Sequence, residues 1–225
     1  PVPGDYSGDG ITDVAVYRPS TGTWYVRNQF TVQYGAAGDL PMPGDYNGDG
    51  LTDVAVYRPS TGTWYVRNQV TVQWGSPGDV PVAADYDGNQ TTDVAVWRPS
   101  TGVWYVRNQF ARQFGAPGDV PVVLDLDGDG RTELGVFRPA SGVWYQYNLA
   151  TDASTAVQYG APGDTPLGVW PVTRHRSAGD LDGDGRADIS VFRPSSGTWF
   201  TALSSGGYAT AEWRQWGASG DVPVP

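Results

Sequence analysis

The chain has no cysteine, no lysine and one histidine among its 225 residues. Without cysteine there are no disulfides and no thiolate metal sites. Without lysine, all 14 positive charges are arginines. With one histidine and no thiol or amine nucleophile, no nucleophile–base relay can be recognised, so the chain is expected not to be an enzyme. No apolar run of about 18 residues is present, which excludes a membrane-spanning helix. Positive charge is in deficit: the net charge is −10 and the pI about 4.3, which argues against nucleic acid and anionic membranes as partners. No charged-then-apolar leader opens the sequence, as expected of a mature chain or an excised domain.

Aromatics and turn formers are plentiful. Ten Trp and 13 Tyr offset a hydrophobic fraction of only 39% and argue against disorder. With 31 Gly and 18 Pro, the chain is interrupted too often for long helices. The acids are unevenly placed: five segments read DYSGDGITD (5–13), DYNGDGLTD (45–53), DYDGNQTTD (85–93), DLDGDGRTE (125–133) and DLDGDGRAD (180–188). The first three hold three acids each and the last two hold four, together 17 of the 24.

These segments begin 40, 40, 40 and 55 residues apart, and residues 3–42 match 43–82 at 32 of 40 positions. Such periodicity marks a repeat architecture. Each block holds four short β-prone runs separated by turn signals; in the second these are DVPV, DVAVYR, TWYVRN and VTVQWG, with turns PSTG and SPGD. Four strands per block of about forty residues predict an all-β, five-bladed β-propeller. The predicted domain is single, 1–225, with repeats at about 1–42, 43–82, 83–122, 123–177 and 178–225. The chain starts at PVPGDY and ends at GDVPVP, two halves of one blade entrance. A strand shared between the termini would close the ring and leave one copy of the PVP triplet loose.

Within each acidic segment, oxygen-bearing residues stand at positions one, three, five and nine, with glycine at four and, in all but the third, at six. That is the pattern of a hard-cation cage, because calcium takes six to eight oxygens and the backbone carbonyl at position seven supplies one more. The expected ligands are Asp5, Ser7, Asp9, Ile11 and Asp13; Asp45, Asn47, Asp49, Leu51 and Asp53; Asp85, Asp87, Asn89, Thr91 and Asp93; Asp125, Asp127, Asp129, Arg131 and Glu133; Asp180, Asp182, Asp184, Arg186 and Asp188. An EF-hand is excluded, since position twelve is a valine in every block and lies in a strand pattern. Up to five calcium ions, one per blade, would bring the net charge of −10 to zero. Solvated Asp-rich turns are the alternative explanation. Charge count ranks the last two loops tightest and the third weakest, because Asn89 limits its charge and Gln90 stands where the others have glycine.

The run DxDGDGxxDVAVxRP, followed by QYGAPGD later in the block, resembles the FG-GAP or VCBS repeat family. Such repeats build the calcium-binding propellers of integrin α-subunits, some fungal lectins and many secreted bacterial proteins. The resemblance implies that each acidic loop joins the innermost strand of a blade to the second. It fixes fold and metal more closely than activity.

Other recurring residues have two readings each. Trp24, Trp64, Trp104, Trp144 and Trp199 are either sugar platforms or packing between blades. Arg18, Arg58, Arg98, Arg138 and Arg193, with Asp39, Asp79, Asp119, Asp164 and Asp221, are either structural ion pairs between blades or an anion site. The repeat is broken at 148–156, 204–211 and 167–178, and the last break puts Trp170, Arg174, His175 and Arg176 forward as a dedicated ligand site. Together these features predict a monomeric, calcium-stabilised, non-catalytic binding module, extracellular or on the cell surface. Its expected ligand is a glycan, on the pattern of a lectin. The alternatives are a structural or protein-interaction module of a larger secreted protein, or a polysaccharide-cleaving enzyme using acids outside the loops.

Overall fold

A computed structural model describes residues 1–167, 180–215, 218–219 and 221. The chain is all-β, five antiparallel sheets of the β-propeller blade type, one for each repeat. The first sheet contains β1 (Ala15–Arg18), β2 (Thr23–Val26) and β3 (Phe30–Gln33). The second contains β4 (Leu40–Pro41), β5 (Ala55–Arg58), β6 (Thr63–Val66) and β7 (Thr71–Gln73). The third contains β8 (Val80–Pro81), β9 (Ala95–Arg98), β10 (Val103–Val106) and β11 (Phe110–Gln113). The fourth contains β12 (Val120–Leu124), β13 (Glu133–Arg138), β14 (Val143–Tyr147) and β15 (Ser154–Gln158). The fifth contains β16 (Thr165–Pro166), β17 (Ile189–Arg193), β18 (Thr198–Leu203) and β19 (Thr210–Gln215), with one short 3-10 turn at Ser204–Gly206. Strands follow in chain order within every sheet.

In the first sheet the first strand position is taken by the N-terminal segment. The Val2 amide donates to Ala15 O, as Met42 does to Ala55 O in the second sheet, and Gly4 bridges Asp13. The N-terminal PVP triplet is therefore seated beside β1; residues 222–225, needed for a strand shared between the termini, lie outside the described residues.

The chain divides into two compact units, one of Pro1–Arg98 with Trp104–Arg112, the other of Pro99–Val103 and the described residues from Gln113 onward. In the first unit, Tyr17 and Trp24 of the first sheet pack with Val54 and Val56 of the second. Tyr57 and Trp64 of the second pack in the same way with Val94 and Val96 of the third. In the second unit, Phe137 and Trp144 of the fourth sheet pack with Ile189 and Val191 of the fifth. The core is thus the contact between faces of successive sheets, which follows from side chains alternating along a strand.

The recurring tryptophans belong to that core. Trp24, Trp64 and Trp104 are 0% exposed and Trp144 is 4% exposed. Their indoles are satisfied internally: Trp24 Nε1 donates to Tyr34 O at 2.9 Å and Trp64 Nε1 to Trp74 O at 2.9 Å. Each removes roughly 150–250 Å² from water, worth about 4–6 kcal/mol before entropy is charged against it. Packing, and not sugar stacking, is the role of these four; Trp199, the fifth, is only partly buried.

The arginine–aspartate pairs close within single sheets. Asp39, on the link into β4, receives Arg58 from the end of β5 in a two-bond grip: Nε to Oδ1 at 2.8 Å, Nη2 to Oδ2 at 2.8 Å. Asp79 with Arg98, Asp119 with Arg138, and Asp164 with Arg193 repeat it. The aspartate also accepts the amide of the linker turn, Ala36 N on Asp39, so the pair clamps the incoming link onto the sheet that it enters. Each guanidinium lies over the ring of the third strand, Arg58 at 4.6 Å from the Tyr65 centroid. At the same end, the turn after β5 needs glycine. Gly62 has φ 64, and a Cβ there would fall 2.4 Å from Gly75 O.

Candidate metal centres

Each acidic loop joins the first strand position of a sheet to the second, as the resemblance implied. The short spacing folds each loop through its own side chains. The position-one aspartate accepts two loop amides: on Asp5, Gly8 N and Gly10 N; on Asp125, Gly128 N and Gly130 N; on Asp180, Gly183 N and Gly185 N. Asp45 and Asp85 do the same. Position five accepts the amide of position seven, as Asp9 from Ile11, Asp49 from Leu51, Asn89 from Thr91, Asp129 from Arg131 and Asp184 from Arg186. Position nine reaches back to the amide of position two: Asp13 to Tyr6, Asp53 to Tyr46, Asp93 to Tyr86, Glu133 to Leu126, Asp188 to Leu181. One fold of the loop therefore serves all five sequences. At position six, Gln90 adopts φ 68 where Gly10, Gly50, Gly130 and Gly185 have φ 79 to 92.

Carboxylates converge in three of the loops. Asp125, Asp127, Asp129 and Glu133 offer oxygens that all lie within 4.8 Å of one another; so do Asp85, Asp87 and Asp93, and Asp180, Asp182 and Asp188. Oxygens bound to one calcium at about 2.3–2.6 Å can lie no more than about 5 Å apart, so these sets suit a shared ion. The donors are all oxygen, which suits a hard cation and not a soft one. In the first two loops Ser7 and Asn47 stand at position three, where the other three have Asp. Geometry thus separates the loops differently from charge count: the third loop falls with the last two, because Asp87 outweighs the loss of an acid at Asn89.

Electrostatics point the same way. Burial pushes the Glu133 carboxyl up to about 8, and Asp127, Asp125 and Asp129 add to the rise against the hydrogen bond from Leu126 N. Burial likewise raises Asp93 to about 6 and, to a lesser degree, Asp53, Asp85 and Asp125. Glu133 and Asp188 are each 3% exposed. A carboxylate raised by burial and like charge is one whose penalty a bound cation reverses.

Adjacent loops also touch. Thr52 N donates to Asp5 O at 2.7 Å, Thr92 N to Asp45 O at 2.6 Å, and Ala187 N to Asp125 O at 2.8 Å. Position eight of one loop is thereby tied to position one of the loop before it.

What sequence reasoning missed is the far wall of the sites in the second to fifth sheets. The turn between the third and fourth strands lies at the same end as the acidic loop, and its side chains reach the carboxylates. Gln109 Nε2 donates to Asp87 Oδ2 at 3.3 Å, and Asn148 Nδ2 to Asp127 and to Glu133. Ser204 Oγ lies 2.9 Å from an Asp184 oxygen and 3.0 Å from an Asp188 oxygen, with one proton to share between them, and Ser205 Oγ donates to Asp182 at 2.6 Å. The breaks in repeat symmetry at 148–156 and 204–211 were the available signal. The proposed ligand residues Trp170, Arg174, His175 and Arg176 lie outside the described residues.

No curated protein matches the chain. Residues 125–191, which contain the fourth and fifth acidic loops entire, match the FG-GAP-like repeat family. The first three loops have the same spacing and the same internal hydrogen bonds, and every repeat makes one blade-type sheet, which supports the FG-GAP-like repeat propeller family for the chain beyond the matched residues.

Proposed function

We propose that the chain is a non-catalytic, calcium-stabilised binding module that works outside the cell, with glycans as its ligand class. The observation that carries the calcium reading is the convergence of Asp125, Asp127, Asp129 and Glu133 on one point. Calcium at such a point would supply the positive charge that lets four carboxylates stay ionised side by side. Asp125 and Glu133 would hold it from the ends of β12 and β13, with Asp127, Asp129 and the Arg131 carbonyl between them. The equivalent residues of the other four loops would hold the rest.

The glycan reading rests on composition and on the resemblance to propeller lectins, not on the recurring tryptophans, four of which are packed away. An exposed aromatic does remain at Trp213 on β19, 69% exposed, and Trp170 is the second candidate. The test is a glycan array run on calcium-loaded protein and repeated in chelator. Binding to a sugar class that disappears with chelator is the expected result. A calcium-loaded, folded protein that binds no glycan would replace this reading with a protein-interaction or structural module.

A further inference from the structure

The sheets differ most in the turns beside the acidic loops, between the third and fourth strands. In the second and third sheets this turn is the tight RNQ, with Asn68 and Asn108 at φ 61 and 62. It ends on a glutamine whose side chain bonds the loop: Gln69 to Asp53, Gln109 to Asp87 and Asp93. In the fourth sheet the turn is longer and delivers Asn148. In the fifth it is a 3-10 turn that delivers Ser204 and Ser205, with Ser204 N also donating to Asp188 Oδ1 at 2.8 Å. Three turn architectures and three residue types thus place a neutral donor on position nine in all four sheets, on position three in the third to fifth, and on position five in the fifth. Solvated acidic turns would not need this.

Asn148 shows which role the donor plays. Its Oδ1 is occupied within its own turn, accepting Ala150 N at 2.9 Å, Thr151 N at 2.8 Å and Thr151 Oγ1 at 3.0 Å. Those three bonds fix the amide so that its NH2, and not its oxygen, faces Asp127 and Glu133. An NH2 cannot ligate a cation. It can occupy one lone pair of each carboxylate and leave the others free, since an ionised carboxylate has about four acceptor sites.

From this we infer that the third-to-fourth-strand turn is the positioning wall of the cation site in the second to fifth sheets: Gln69, Gln109, Asn148 and the Ser204–Ser205 pair aim the loop carboxylates and set how tightly calcium is held. The inference rests on the calcium reading proposed above. Holding the carboxylates convergent before the ion arrives lowers both their repulsion and the ordering cost of binding. Groups of this kind change metal affinity by about 10- to 100-fold when removed.

Calcium titration of the 15N-labelled full chain tests it site by site. The amides of Gly130 and Gly185, each bonded to the position-one aspartate of its own loop, serve as separate reporters. Asn148→Ala should weaken the Gly130 transition about 10-fold and leave the Gly185 transition in place. Ser205→Ala, a change at an exposed position that keeps the fold if Asn148→Ala does not, should weaken Gly185 and leave Gly130 in place. Melting in chelator provides the control for a merely structural role. Variants that lower the metal-free melting temperature but leave both transitions unmoved would overturn the inference while the calcium reading stands. A wild-type protein in which neither glycine responds to calcium would overturn both.

Discussion

Gln90 sits at a φ of 68 that glycine occupies in the other four loops. A side chain in this left-handed region costs about 1–2 kcal/mol relative to glycine. Gln90→Gly should therefore raise the stability of the metal-free protein by about 1 kcal/mol. Urea unfolding in chelator would check it, and an unchanged midpoint would show that the loop absorbs the strain. Glu133 is the second instructive residue. Its ordinary value of 4.5 is raised to about 8 in the folded protein, so the metal-free folded state keeps a proton that the unfolded chain releases. Stability from this source is fully present below about pH 4.5 and is lost as pH rises through about 8. Asp93, raised to about 6, adds to the loss in the lower part of that window. In chelator, the wild-type melting temperature should fall between about pH 5 and 8, and Glu133→Gln should flatten the upper part of that fall. Equal slopes for wild type and variant by calorimetry would remove Glu133 from the account. In calcium the same variant should bind one ion less tightly.

At the scale of elements, the clamp between Asp79 and Arg98 shows how a sheet takes up the chain from the sheet before it. The aspartate side chain is 2% exposed and the arginine 31%, so the two halves are not equivalent. Arg98→Ala strands a buried carboxylate and should cost about 3 kcal/mol, more than Asp79→Asn, which keeps an acceptor for Ser76 N. Urea denaturation of both variants would measure it; a loss below about 0.5 kcal/mol for Arg98→Ala would reduce the clamp to an ordinary surface pair. Much at this scale was legible in the chain itself. Turn residues at fixed offsets separated the strands, and the resemblance to FG-GAP or VCBS repeats placed the acidic loops between the first and second strand positions. The pairing of Asp with Arg was legible too, but not its direction: the recurrence suggested ties between blades, and only the path of the linker shows that Asp39 and Arg58 meet in one sheet. The reach of Asn148 and Ser205 was not legible, because it depends on which turns end up beside a loop some 21 and 23 residues away. Nor was the grouping of the third loop with the last two, which depends on where Asp87 points and not on how many acids the loop has.

For the whole molecule, the governing quantity is charge. A net charge of −10 with 17 acids gathered in five loops means that the metal-free protein folds against its own repulsion. Calcium binding to the folded state alone should raise the melting temperature by mass action and make it depend on calcium concentration. Differential scanning calorimetry over a calcium series would show the trend, and a melting temperature indifferent to both calcium and chelator would contradict it. The central claim, that the five acidic loops are calcium sites, is most directly tested by anomalous scattering from crystals soaked at graded calcium. The account predicts density first in the loop 125–133, then in 85–93 and 180–188, where three acids converge, and last in 5–13 and 45–53. Crystals saturated with calcium that show no anomalous density in any of the five loops would contradict it.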